Sequence, residues 1–138
     1  VIAGDKLLEF SLKGFVDFFQ SVRRPCIMCY PEPDPARRRK TGIITVDGGG
    51  RVTSFEEKPP QPRSDLAVPP FYLYTAEALA RIPAAVADGC PTDAPGSLAA
   101  WMSRHGDLYA WPMPGKRYDI GSIDGYHAIE TLYRPPAP

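Results

Sequence analysis

Apolar residues along the chain alternate between short continuous runs and helical stripes, separated by breaks rich in proline and glycine. Val1-Ile-Ala-Gly-Asp5 is an apolar run ending in Gly-Asp, the pattern of a parallel strand buried on both faces. Ser11 then offers an N-cap oxygen. Leu12, Phe15, Val16, Phe19 and Val22 recur at helical spacing and predict a helix covering one sheet face. Pro25 stops it, and residues 26–30 form the next predicted strand, completing a βαβ unit with its right-handed crossover. Residues 42–47 and 51–55 read as strands joined by Asp47-Gly-Gly-Gly50, a hairpin signal. No helix follows those glycines, so they make a turn and not a phosphate cradle.

Further on, the proline-rich stretch 59–70 is expected to be a loop, a lid or a rim, and 71–74 a strand. Thr75 predicts a cap for a helix that turns Leu79 and Ile82 inward. Residues 94–106 predict another helix with Leu98, Trp101 and Met102 in one core stripe. In 107–113, Tyr109, Trp111 and Met113 alternate as on a strand, and 116–120 leads to a second aspartate, Asp119. Ser122 caps a last helix with Ile123, Tyr126, Ile129 and Tyr133 at helical spacing. This order of elements predicts an α/β fold with a mixed, mainly parallel sheet flanked by helices.

Composition narrows the choice. A length of 138 residues suits one domain with a sizeable core. A formal net charge of zero argues against nucleic acid as a partner, since that usually needs a basic surplus. No apolar run reaches the length of a membrane span, and with charges at Asp5 and Lys6 the opening stretch is not expected to be a signal peptide. Three cysteines are an odd count without a disulfide framework, which predicts a reducing, cytoplasmic setting. Cys26-Ile-Met-Cys29 has the spacing of a zinc or redox pair. Strand alternation would turn the two thiols to opposite faces, and no second Cys/His pair accompanies them, so buried structural thiols are expected. The chain opens inside an apolar strand without an initiator Met, and a central strand makes a poor first element. The expectation is a piece of a longer protein.

Asp5 and Asp119 are the first candidates for chemistry. Each is expected at a strand end, next to glycine, where open α/β sheets bind ligands; the alternative is that each merely caps a turn. Two carboxylates from separate strand ends suit Mg²⁺, which takes one or two carboxylates and completes its octahedron with phosphate oxygens and water. In Arg51-Val-Thr-Ser-Phe-Glu-Glu-Lys-Pro59, Lys58 is a point charge fit for a phosphate and Glu57 can accept two sugar hydroxyls; the alternative is a solvated strand end. Arg37-Arg-Arg-Lys40 reads as a solvated loop, because four adjacent charges cannot all face one ligand. His105 and His127 read as structural or surface residues. With no Ser/His/Asp or Cys/His constellation, nucleophilic catalysis is disfavoured.

Val1-Ile-Ala-Gly-Asp5, Gly42-Ile-Ile-Thr-Val-Asp47, Arg51 to Pro59, Phe71-Tyr-Leu-Tyr74 and Tyr118-Asp-Ile-Gly-Ser122 resemble, in order and rough spacing, the sugar-phosphate nucleotidyltransferases. Within them the chain looks like the glucose-1-phosphate thymidylyltransferase and mannose-1-phosphate guanylyltransferase group. The resemblance implies that 1–134 is the C-terminal, sugar- and metal-binding part of a Rossmann-like domain, with 135–138 a proline-rich tail. It implies that Asp5 and Asp119 hold a catalytic Mg²⁺, that Gly42 contacts the sugar through its backbone and that Tyr72 lines the same pocket. Glu57 would bind sugar hydroxyls and Lys58 the sugar phosphate, which makes Asp5, Lys58 and Asp119 the catalytic set. The implied reaction joins a nucleoside triphosphate and a sugar-1-phosphate into an NDP-sugar and releases pyrophosphate. The alternative is a non-catalytic regulatory or binding subunit of the same fold. A homo-oligomer is compatible with either.

Three positions depart from the resemblance. Lys6 stands where the family usually has Asn, Pro70 where a Gly often precedes the sugar-pocket strand, and Arg117 where Trp is frequent. The family's Gly-rich, Arg-containing triphosphate loop has no counterpart in this chain, which is therefore expected to be inert alone.

Overall fold

The computed structural model describes residues 1–106 and 108–132. Tyr133 and the expected 135–138 tail lie outside the described residues, as does Asp107. The first element, β1 (Lys6–Leu8), precedes α1 (Lys13–Val22), whose Phe15 is buried. The N-cap is Leu12, which makes no side-chain cap, so the expected cap Ser11 lies one residue early; its Oγ accepts the Lys13 N–H at 3.1 Å from outside the helix. Arg23 ends it in the left-handed region at φ 50°. Then come β2 (Cys26–Pro31) and the single turn α2 (Pro35–Arg38), capped by Asp34 accepting from the Ala36 N–H. The hairpin β3 (Gly42–Val46) and β4 (Val52–Glu57) follows. Its turn is tied by Asp47 Oδ1, which accepts the N–H groups of Gly49 and Arg51.

The stretch expected as a loop contains β5 (Leu66–Val68), and β6 (Tyr72–Leu73) comes directly after its prolines. Two short helices, α3 (Ala76–Leu79) and α4 (Ile82–Ala87), replace the one predicted there. Thr75 does cap α3, accepting from Ala78. The break at Ala80–Arg81 changes the phase, so Ala78 and Ala85 are buried while Leu79 and Ile82 face out, contrary to the predicted stripe. In α5 (Pro95–His105) the predicted core residues Trp101 and Met102 are buried. The chain ends with β7 (Tyr109–Pro112), β8 (Arg117–Asp119) and α6 (Ile123–Leu132), the last capped by Ser122 Oγ accepting the Gly125 N–H. Ile123 and Tyr126 on α6 are exposed.

The main sheet runs β4-β3-β5-β2-β6, with β7 paired to the other side of β2. It is mixed and flanked by helices, as expected, but parallel pairing does not predominate. Among the described strands the β2–β7 ladder is parallel and the remaining ladders are antiparallel. The reason is local. β5 inserts between β2 and β3, and β6 inserts between β2 and the chain start, where Ile2 pairs antiparallel with Phe71. The segment at Ile2 and β2 therefore run parallel, but not as neighbours. Val1 and Ile2 are exposed, against the buried strand expected.

Strand β2 organises the packing because its side chains alternate. Ile27 and Cys29 enter one core with Ile44, Val52, Phe55, Tyr72, Ala99 and Leu108. Cys26 and Met28 enter another with Phe15 and Phe71, bordered by Tyr109, Trp111 and Met113. The two thiols are free, buried and on opposite faces, as alternation requires, and burial raises their pKa values to about 12 for Cys26 and about 11 for Cys29. The sheet also curls on itself: the Val52 N–H donates to Leu108 O at 2.8 Å and the Ala110 N–H to Gly50 O at 2.9 Å. Beside it, β1 and β8 form a separate two-stranded ladder in which Lys6 lies opposite Asp119. Three residues are too few to show a periodicity, so β1 was not predicted.

Candidate functional site

The hairpin places Gly42 opposite Glu57, at the end of β3 and β4 away from the turn. There the Glu57 carboxylate meets two glycines. A Cβ on Gly42 would lie 3.2 Å from Glu57 Oε2 and 2.8 Å from the Phe55 ring, and one on Gly96 would collide with the same oxygen. Gly96 is in the first turn of α5, behind Pro95. Both glycines thus leave room for one carboxylate. Glu57, Gly42, Gly96, Tyr72, Thr41 and Pro70 line a recess of about 160 Å³. Glu57 keeps solvent exposure as a residue, yet burial of its carboxyl end raises its pKa; the Lys58 charge opposes the shift and Asp93 adds to it. Tyr72, buried beside it, is pushed up to about 12 by desolvation and by the Glu57 charge. A carboxylate in such a recess is an acceptor in search of hydroxyl donors.

Lys40, Thr41, Val68 and Pro70 are shared with a larger, open cleft of about 860 Å³. Lys6, Arg37, Lys40, Lys116 and Arg117 line it, against the acids Glu32 and Asp119. Glu32 is already committed, accepting from the Tyr30 hydroxyl and the Asp34 N–H. The Arg117 guanidinium lies over the Tyr30 ring at 4.8 Å and donates to its hydroxyl at 2.8 Å. Its Nε, also buried, has no hydrogen-bond partner among the described residues. The balance of the cleft is cationic, and a buried donor without an acceptor is costly until something supplies one. Phosphate oxygens are the natural match for such a wall.

At the far side of this cleft Asp5 and Asp119 come together, although they are nearly the length of the chain apart. The Ile120 N–H donates to Asp5 O at 2.9 Å, which ties the two segments. A Cβ on Gly121 would meet Asp5 Oδ2 at 2.9 Å and Asp119 Oδ1 at 3.1 Å. Between the carboxylates sits Lys6, with Nζ 3.0 Å from Asp5 Oδ2 and 2.9 Å from Asp119 Oδ2. For Lys6, burial works to lower the pKa, but the two carboxylate hydrogen bonds and charges outweigh it and the net shift is upward. The Asp119 carboxyl is held below the usual range, first by Lys6 and then by the Gly121 N–H. Among the described residues no group of three or more His, Cys, Asp or Glu could hold a metal ion. The oxygens suit a hard divalent cation, but Lys6 now holds one oxygen of each carboxylate, so the pair fits such an ion only with the ammonium moved aside.

Lys58 is not gathered into this arrangement. It stands one residue beyond β4 at φ 48°, its N–H donates to Thr41 O at 3.1 Å, and it lines neither cleft. Lys40, from the basic run read as a solvated loop, lines both. Its neighbour Arg38 does serve the loop, donating to the carbonyls of Glu32 and Pro33. Gly96 was missed because the helix around it reads as core; Pro-Gly in a first helical turn was the available signal.

The family described as "Nucleotidyl transferase" matches residues 1–134, and the chain belongs to that family. A glucose-1-phosphate adenylyltransferase of Thermotoga neapolitana is 29% identical over 145 residues, covering 100% of this chain and 34% of the relative. A glucose-1-phosphate thymidylyltransferase of an Actinoplanes species is 58% identical over 36 residues, 26% of this chain and 12% of that protein. Among solved structures, the UTP-bound UGPase of Acinetobacter baumannii superposes with a TM-score of 0.79 at 22% identity, over 100% of this chain and 51% of that one. That likeness shows the shared fold. The chain spans about a third of the length of the curated relatives it matches end to end.

Proposed function

We propose that the chain is the sugar- and phosphate-binding portion of a sugar-1-phosphate nucleotidyltransferase. In this reading an oxygen of the sugar-1-phosphate attacks the α-phosphorus of a nucleoside triphosphate. The bond from that phosphorus to the α–β bridging oxygen breaks, pyrophosphate leaves, and an NDP-sugar remains. No covalent enzyme intermediate is needed, so the work is positioning and charge neutralisation. The observation that carries the reading is the join between the two clefts: a recess with one carboxylate acceptor opens into a wall of five basic side chains. The sugar would enter the recess, with Glu57 accepting its hydroxyls and the Gly42 backbone and Tyr72 bounding it. Its phosphate would lie toward Lys40, Arg117 and Lys116, with Lys58 joining once a ligand draws it in.

Mg²⁺ belongs to this reading as the ion Asp5 and Asp119 would hold, supplying charge neutralisation at the phosphates; it requires Lys6 to move. Glucose-1-phosphate, from the names of the curated relatives, is the first sugar phosphate to try. A cytoplasmic setting is proposed from the three free thiols; among the described residues no helix is long and apolar enough to cross a membrane. The test pairs each common triphosphate with glucose-, mannose- and N-acetylglucosamine-1-phosphate in the full-length protein and follows pyrophosphate. Release with at least one pair is expected, and silence from all pairs would overturn the reading. One observation favours a second reading, a non-catalytic subunit of the same fold: the carboxylates already hold an ammonium. Binding of sugar phosphate without turnover would select it.

A further inference from the structure

The cation held by the Asp5–Asp119 pair is part of the chain. Lys6 extends from β1 directly opposite Asp119 and reaches one oxygen of each carboxylate. Its side chain is 8% exposed, against 48% for Asp5 and 62% for Asp119. The stem is therefore packed and the ammonium is the inner member of the trio. The other Asp119 oxygen, Oδ1, accepts the Gly121 N–H. A divalent ion held by both carboxylates would compete with Lys6 for their oxygens, at the shorter distance of about 2.0–2.1 Å typical of Mg²⁺. Two cations cannot share that space, since among the described residues no third acid joins the pair to offset their repulsion.

We propose that Lys6 is the resident cation of this carboxylate pair, and that a divalent metal enters only by displacing its ammonium into the adjoining cleft. The cleft can receive it, because Lys6 already lines that wall. Lys6 thereby sets the affinity of the site for metal and links metal entry to the arrival of an anion: a bound phosphate gives the displaced ammonium a new partner. The inference rests on the joint placement of Asp5 and Asp119 and not on the transferase reaction. Metal affinity measured without substrate can therefore fail while the proposed function stands, and the reverse also holds.

Lys6→Met keeps most of the packed stem and removes the charge. Mn²⁺ binding, followed by electron paramagnetic resonance without substrate, is expected to be at least about tenfold tighter in K6M than in the parent protein. Lys116→Gln removes a cleft charge that does not touch the carboxylates, and should change Mn²⁺ affinity less than threefold. Adding D119N to K6M should abolish the gain. Equal affinities in K6M and parent, or an equal gain from K116Q, would overturn the proposal. If K6M does not fold, the parent decides through a lysine-selective ¹⁵N spectrum during Mg²⁺ titration. The Lys6 ammonium and the Gly121 amide should move together or not at all; Gly121 moving while Lys6 stays fixed would refute displacement.

Discussion

The Glu57 recess and the carboxylate pair are organised in opposite ways. Glu57 is fixed by shape: it ends a strand whose Val52 and Phe55 are in the main core, and two glycines leave room for its oxygen. Asp5 and Asp119 are fixed by charge, on a two-stranded ladder outside the main sheet, with largely exposed side chains around one lysine. A site held by packing resists salt but not a methyl group. One held by exposed charges tolerates volume changes but is screened by salt.

That contrast can be broken most severely from the core side. Ile44→Ala, at a fully buried position between the hairpin and α5, should cost about 2–5 kcal/mol in chemical denaturation and take the recess with it. Next is Asp119→Asn in the full-length protein. Turnover should fall about 100-fold or more, while the melting temperature near neutral pH drops only slightly, since exposed ion pairs contribute little. The sign of its pH dependence follows from the lowered pKa of Asp119. Its stabilisation is complete above the ordinary carboxylate range and disappears as pH falls through the lowered folded-state value. Melting curves of parent and D119N should converge in acid and separate toward neutrality; a constant offset at all pH values would contradict this.

Gly96→Ala sharpens the comparison further. Its methyl would displace Glu57 Oε2, so KM for the sugar phosphate should rise about tenfold, equivalent to ~1.4 kcal/mol, with KM for the triphosphate unchanged. The smallest effect is expected at Tyr74. Its buried hydroxyl lacks a hydrogen-bond partner among the described residues, so Tyr74→Phe should be neutral or stabilising by up to about 1 kcal/mol.

Much of this was readable along the chain where one periodicity governs. The alternation of Cys26 to Cys29, the Asp47 turn, the Thr75 and Ser122 caps and the Trp101–Met102 stripe all follow from local rules. β5 was hidden by the prolines around it, and the β1–β8 ladder by its brevity. Strand order was unreadable for a different reason: inserting β5 and β6 beside β2 is a long-range choice that no local pattern encodes. The meeting of Asp5 with Asp119 was an expectation from resemblance. The ammonium between them is a matter of register, since β1 sets Lys6 opposite Asp119.

The opposite-facing thiols of β2 have a practical corollary. With pKa values near 12 and 11, Cys26 and Cys29 carry almost no thiolate at neutral pH and are closed to alkylating reagents while the fold holds. Cys90 is partly accessible, next to the α3–α5 cluster. A maleimide dye applied to this chain under native conditions should therefore mark one place, giving a fluorescence reporter without engineering, and a second equivalent taken up would announce that the sheet has opened.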